Sequence, residues 1–249
     1  MAGWYPGHMV ATQKTIRELA PYVSAFVEVV DARAPAATRH RPLLAWIGKT
    51  PLVIVMNKIE LADPVATQKW QRALEADPRV LAAVGLTAAE PRARQVLART
   101  LESRLPPPRR LSVVGLPNVG KSTLLNRMVG RHRVATGAKP GLTRGPQWIR
   151  PGDGWEWLDL PGVVTPSKSK DWRLQLLGVV AVGPDDVEIA AQRLTEIIPQ
   201  PRLGDLEQWG KARGYLTTGG RVDELRTAQA VLSDFRRGKF GRISLEVPE

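Results

Sequence analysis

The chain contains no cysteine, which excludes disulfides, thiolate nucleophiles and cysteine-ligated metals, and matches a reducing compartment. No uninterrupted apolar run approaches the roughly 18 residues that a membrane-spanning helix needs. The opening MAGWYPGHMV has no charged start followed by an apolar stretch, so no secretory leader is expected. No lipidation motif ends the chain, which argues against a membrane-anchored signalling role. A cytoplasmic protein without a membrane partner is the expectation.

What is present is a globular composition, 43% hydrophobic, with enough length for one full core and a smaller second unit. The formal net charge is +12, and its distribution is uneven. Residues 1–165 hold 23 Lys/Arg against 12 Asp/Glu, whereas residues 166–249 hold 13 against 12. The first part is therefore +11 and the second +1. Binding a nucleotide needs only a few cations, so this excess points to a polyanionic partner such as RNA. Local clusters are Arg109-Arg110, Arg131-His132-Arg133 and Arg236-Arg237 with Lys239; taken singly, each reads as a solvated basic face.

An alternating strand and helix pattern predicts an α/β fold with a parallel, doubly wound sheet. Ala25–Asp31 and Leu52–Asn57 read as buried strands, and Leu81–Val84 as a third. Asp63-Pro64 reads as the N-cap and first position of a helix running to about Ala76. Glu90-Pro91 opens another helix, to about Arg104, and Leu105–Arg110 (LPPPRR) reads as a stiff connector. Leu111–Gly115 and Trp155–Leu160 are further strands, with a helix over Lys121–Val129 between them. Beyond residue 166 the pattern is helical over Asp185–Ile198, Asp205–Ala212 and Val222–Arg237. This predicts a nucleotide-binding domain over residues 1–165 and a helical domain over 166–249.

Three motifs carry chemistry. Gly115-x-x-x-x-Gly120-Lys121-Ser122 follows a strand and opens a helix, the context of a phosphate loop. Pro117, Asn118, Val119, Gly120, Lys121, Ser122 and Thr123 would surround the phosphates, Lys121 neutralising β- and γ-oxygens and Ser122 ligating Mg²⁺. DLPG at Asp159–Gly162, about forty residues later at a strand end, supplies a Mg²⁺-side carboxylate in Asp159 and a backbone N–H for the γ-phosphate in Gly162. Thr143, in the Gly- and Pro-rich tract between them, is the candidate switch residue and a third Mg²⁺ ligand. Asn57-Lys58-Ile59-Glu60 reads as the base-recognition element. A carboxylate accepts both the N1 and N2 hydrogens of guanine, which adenine cannot offer, and Lys58 packs along the base. Glu60 stands where Asp is usual, one methylene longer. Thr87-Ala88 resembles the element whose backbone reaches guanine O6. The predicted ligands are GTP and GDP.

The order of these motifs is permuted. The base reader precedes the phosphate loop by more than fifty residues, whereas the ordinary arrangement is the reverse. Together with WYPGHM at Trp4–Met9, VDARAP at Val30–Pro35 and the closing DFRRGKFGRISLE at Asp234–Glu246, the permuted order resembles the circularly permuted GTPases of the ribosome biogenesis GTPase A (YlqF-like) family. The resemblance spans the chain. It implies a circularly permuted phosphate-loop GTPase domain followed by a smaller helical domain that docks on a particle. It further implies a GTP-dependent assembly factor for the large ribosomal subunit, bound to ribosomal RNA. A monomer is expected.

Hydrolysis needs a group to orient water, often a glutamine after the DxxG glycine. Here Val163 occupies that place, so intrinsic turnover would be slow and stimulated by the particle. The family resemblance offers His8 of WYPGHM instead, with His40 and His132 as rivals. Asn118 resembles the asparagine that helps hold K⁺ in potassium-activated GTPases. Trp46, Trp70 and Trp157 read as core, while Trp4 and Trp148 are candidates for stacking on bases. Arg33 of VDARAP reads either as an RNA or switch contact or as a structural ion pair. Two other readings remain: a permuted GTPase with another RNA target, and an RNA-binding chaperone with a relic nucleotide site.

Overall fold

The computed structural model describes residues 6–130, 147–160 and 171–248. Six strands form one sheet: β1 (Ala25–Asp31), β2 (Leu52–Asn57), β3 (Val80–Leu86), β4 (Arg109–Val114), β5 (Gln147–Ile149) and β6 (Trp155–Asp159). The helices are α1 (Pro6–Leu19), α2 (Pro35–Thr38), α3 (Leu43–Ile47), α4 (Pro64–Glu75), α5 (Arg92–Glu102), α6 (Lys121–Val129), α7 (Trp172–Leu176), α8 (Pro184–Ile197), α9 (Leu206–Ala212) and α10 (Glu224–Arg236).

The spatial order is β3-β2-β1-β4-β6-β5, parallel except for the β5–β6 pair. The chain steps outward through β1, β2 and β3, then returns to place β4 on the other side of β1. That reversal leaves a crevice beyond the carboxyl ends of β1 and β4, the place where open α/β sheets bind ligands.

Both faces of the sheet are covered, which is why its strands are apolar at nearly every position. Ala25, Val27 and Val29 of β1 face a core shared with Leu97 of α5, Leu124 of α6 and Val231 of α10. The alternate residues Phe26 and Val30 pack with Ile16 of α1, Trp46 of α3 and Leu74 of α4. Two polar exceptions on β1, Glu28 and Asp31, are fully buried. Burial raises the Glu28 carboxyl above the usual range, while Arg39 and the His40 N–H act to lower it.

The expected strands β1 and β2 appear with the expected bounds, and Asp63 caps α4 by accepting from the Ala66 N–H at 2.7 Å. The connector differs: Arg109 and Arg110 are strand, not linker. They pair with Trp155 and Glu156 of β6, Arg110 binds the Glu156 carboxylate at 3.1 Å, and Arg109 lies over the Trp155 ring. Proline stiffens only the segment before them. Helix α1 lies where no element was expected, its weakly segregated PGHMVATQKTIREL being hard to tell from loop. Short α2, α3, α7 and β5 were also unanticipated.

After α10 the chain turns back onto the sheet domain. The Ile243 N–H donates to Leu61 O at 2.9 Å, the Asp63 N–H to Ser244 Oγ at 3.1 Å and the Leu245 N–H to Arg33 O at 2.7 Å. Glu246 Oε1 accepts from the N–H groups of Ala36 and Ala37, and Arg173 binds its other oxygen at 2.6 Å. The terminal segment is thus stapled beside the loops that follow β1 and β2.

Candidate functional site

The phosphate loop leaves β4 and enters α6 through two glycines that no other residue replaces. Gly115 has φ +143°, and a Cβ there would lie 2.4 Å from Val29 O on β1. Gly120 has φ +103°, and its Cβ would sit 2.1 Å from Asn57 Nδ2. The first lets the loop lie against the sheet. The second leaves room for the Asn57 amide to reach in beneath it. Lys121 folds back to donate to Leu116 O at 2.6 Å, and Ser122 opens the helix beside it.

Asn57, at the end of β2 and 4% exposed, is the keystone. Its Nδ2 donates to Val119 O at 2.8 Å and its Oδ1 accepts the Ala88 N–H at 2.8 Å. One side chain thereby ties the phosphate loop to the Thr87-Ala88 turn after β3. Lys58 has a left-handed φ of 65° and sends Nζ to Asn118 O at 2.8 Å and to Asp31 Oδ2 at 2.9 Å. Thr87 Oγ1 donates to Glu60 Oε2, and Glu60 is exposed beside it. Asn57, Lys58, Glu60, Thr87 and Ala88 are therefore brought together against Asn118 and Val119, over a stretch of chain running from β2 to the phosphate loop.

Asn118 also has a positive φ, 60°, and its Nδ2 donates to Gly178 O at 2.7 Å, just past α7. Arg236 of α10 supports this corner, donating to Leu176 O at 2.9 Å and Gln175 O at 2.8 Å. The phosphate loop thus touches the helical part directly, a contact that separation in sequence concealed.

Other expected residues fall differently. Thr143, Gly162, Val163, Trp4 and the Arg131-His132-Arg133 cluster lie outside the described residues. His8 lies on α1 and Asp159 ends β6, but both side chains lie outside the described residues as well. His40 is half-buried, 4.6 Å between ring centroids from Trp46, and burial depresses its pKa to about 4. It is packed under α3 rather than at the crevice. Trp46 and Trp157 are buried as expected, while Trp70 is part-buried with its indole N–H on Glu246 O at 3.2 Å. Trp148 packs partly against the core.

Arg33 is an ion-pair residue, not a surface contact: it is 1% exposed and grips Asp31 through Nε at 2.9 Å and Nη2 at 2.8 Å. The basic clusters are also partly internal. Arg236 is spent on helix carbonyls, and Lys239 pairs with Asp234 at 2.8 Å. Asp31 was the residue missed. Its signal was present, an acidic side chain at the end of a largely apolar strand, two residues before an arginine. Burial alone would raise its pKa, but hydrogen bonds and charge from Arg33, with Lys58, hold it at about 2.

Among the described residues no cluster of His, Asp and Glu could hold a metal by itself, and no helix is long and apolar enough to cross a membrane.

Comparison with known proteins agrees with this architecture. The family described as 50S ribosome-binding GTPase matches residues 110–187. The ribosome biogenesis GTPase A of Thermotoga maritima is 32% identical, over 99% of this chain and 94% of the relative. That of Bacillus licheniformis is 30% identical, over 99% and 98%. The solved GNP-bound YlqF from T. maritima superposes with a TM-score of 0.72 at 27% identity, covering 95% of this chain and 98% of that one. A GDP-bound YlqF structure gives 0.72 at 28%, covering 94% and 99%. With a permuted sheet, a phosphate loop braced by Asn57 and Lys58, and relatives matched end to end, the chain belongs to the ribosome biogenesis GTPase A family and is a GTPase.

Proposed function

We propose that this GTPase is an assembly factor for the large ribosomal subunit whose affinity for rRNA in a pre-ribosomal particle depends on the bound nucleotide. The observation that carries the reading is the junction at Asn118. The phosphate loop that holds the nucleotide hydrogen-bonds, through this one side chain, to the helical part at Gly178. A change in the loop on nucleotide exchange is thus passed to residues 166–249, which form the docking domain, while residues 1–165 form the GTPase domain and carry the basic excess. The relatives' name, ribosome biogenesis GTPase A, supports a role in ribosome assembly.

Within the site, Asn57, Lys58, Glu60, Thr87 and Ala88 receive guanine, with Glu60 accepting its N1 and N2 hydrogens. Pro117 through Thr123 and Gly162 surround the phosphates. Ser122, Thr143 and Asp159 offer two hydroxyls and a carboxylate, hard oxygen donors suited to Mg²⁺. That ion would neutralise charge on the β- and γ-phosphates. Asn118 commits its amide nitrogen to Gly178, which leaves its oxygen end for K⁺. His8 orients the attacking water, since Val163 cannot, and turnover is slow until the particle binds. The protein acts as a cytoplasmic monomer.

The test is GTP hydrolysis by the pure protein, with and without large ribosomal subunits, in K⁺ and in Na⁺ buffer. Stimulation by large subunits and a preference for K⁺ are expected. Equal binding of GTP and GDP forms to large-subunit intermediates would overturn the switch. Negligible turnover under every condition would leave an RNA-binding chaperone as the better description.

A further inference from the structure

Lys58 is held from two sides, and only one of them is the phosphate loop. Its ammonium also meets Asp31 Oδ2 at 2.9 Å. Asp31 sits at the end of β1, in register with Asn57 of β2. Its carboxylate is 1% exposed and fixed in orientation: the Arg33 N–H at 3.1 Å and Nε at 2.9 Å bind Oδ1, and Arg33 Nη2 binds Oδ2 at 2.8 Å. A bidentate arginine leaves a buried carboxylate no rotational freedom, so the second acceptor site on Oδ2 points one way. Lys58 occupies it. The backbone of Lys58 is already in the left-handed region, uncommon for a residue with a side chain.

Arg33 is in turn held by the end of the chain. Its Nη1 reaches Phe235 O at 3.5 Å, its guanidinium lies 5.3 Å from the Phe235 ring centroid, and its own carbonyl accepts the Leu245 N–H at 2.7 Å. A line of contacts therefore runs from α10 and the terminal segment through Arg33 and Asp31 to Lys58.

We propose that Asp31, oriented by Arg33, is a positioning residue for nucleotide binding: it holds Lys58 in place for the guanine base, and the C-terminal segment sets its orientation. This rests on the reading of Asn57–Glu60 as the guanine site. Without Asp31 the Lys58 ammonium retains only Asn118 O as a described acceptor, and its stem loses one of two anchors. Ordering that side chain then costs binding free energy at the moment the nucleotide enters.

The experiment is a double-mutant cycle read by titration with a fluorescent GDP analogue, using full-length Asp31→Asn, Lys58→Ala and the double variant. Glu28→Gln serves as a control, because Glu28 lies on the same strand, is equally buried, and pairs with Arg39 away from the nucleotide. Asp31→Asn is expected to weaken GDP binding about tenfold, the scale of one lost charge-assisted hydrogen bond. In the Lys58→Ala background it should weaken binding no further, and Glu28→Gln should bind as the unaltered protein does. An equal loss in both backgrounds, or none in either, overturns the proposal. If Lys58→Ala itself leaves GDP affinity unchanged, the guanine-site reading falls instead. Should circular dichroism show that Asp31→Asn does not fold, Arg33→Lys enters the same cycle. It keeps the charge but loses the bidentate grip, and a severalfold loss confined to the Lys58 background is the expected result. Its absence overturns the proposal equally.

Discussion

Replacing Asn57 by alanine should damage both the fold and the nucleotide site, because one side chain serves two buried backbone groups. The amide accepts the Ala88 N–H at 2.8 Å and donates to Val119 O at 2.8 Å. Alanine leaves both without that partner in a place where Ala88 and Val119 are almost completely buried. Each stranded group costs about 1–3 kcal/mol, so the pair costs about 2–6 kcal/mol, water entry accounting for the lower end. In a chain of this size 1 kcal/mol corresponds to roughly 2–4 °C in Tm, which predicts a fall of roughly 4–24 °C. The remaining effect falls on ligand binding, since the Thr87-Ala88 turn and the phosphate loop lose the link that spaces them. Scanning fluorimetry with and without GDP reads both quantities. The stabilisation conferred by saturating GDP should shrink along with the starting Tm. A variant that melts within about 2 °C of the unaltered protein and gains as much from GDP would show that this bridge does not hold the site together.

Three further outcomes concern other residues. His8→Ala should lower particle-stimulated turnover by about two orders of magnitude or more while GDP affinity stays level, the signature of a group acting on water rather than on nucleotide; stopped-turnover phosphate release checks it. Glu246→Ala should cost about 1–3 kcal/mol, since it strands the N–H groups of Ala36 and Ala37 and leaves Arg173 paired with Asp171 alone; a Tm unchanged by the substitution would contradict the stapled terminus. His40 and Asp31 give the pH dependence two windows in which stability falls with falling pH, while Glu28, raised by burial, acts in the opposite sense. His40, depressed from 6.5 to about 4 by burial, binds its proton less well folded than unfolded, so its contribution is complete above pH 6.5 and is lost as pH falls toward 4. Allowing for its partial exposure, this amounts to about 1–2 kcal/mol. Asp31, held at about 2 from 3.8, contributes fully above pH 4 and loses its contribution only as pH falls toward 2. Denaturant titrations should therefore show a slope between pH 6.5 and 4 that His40→Gln flattens and that substitutions near Asp31 leave in place.

Much of the fold was legible because its signals are local. Strands β1 and β2 are covered on both faces, so apolar runs ending in Asp31 and Asn57, interrupted in β1 at Glu28, marked their bounds. Asp63-Pro64 and the glycine spacing of the phosphate loop are set by backbone conformation within a few residues. What stayed hidden depended on partners far along the chain. Arg109 and Arg110 look like linker until β6 offers Trp155 and Glu156 as neighbours. Arg33 looks equally suited to RNA and to an ion pair until Phe235 and Leu245 close over it. Arg236 reads as a surface cation until the carbonyls at the end of α7 take it up.

The sequence by itself determined the chemical parts: a phosphate loop, an NKIE element at Asn57–Glu60 and a permuted order, each written in residue types at short spacing. Tertiary structure decided how these parts are joined. Asn57 spans the phosphate loop and the Thr87-Ala88 turn, Lys58 shares Asp31 with Arg33, and Asn118 reaches Gly178 across the junction with the helices. The physical reason is that hydrogen bonds and buried charges depend on distance and direction in space. Separation along the chain carries no record of either once the sheet has reversed between β1 and β4.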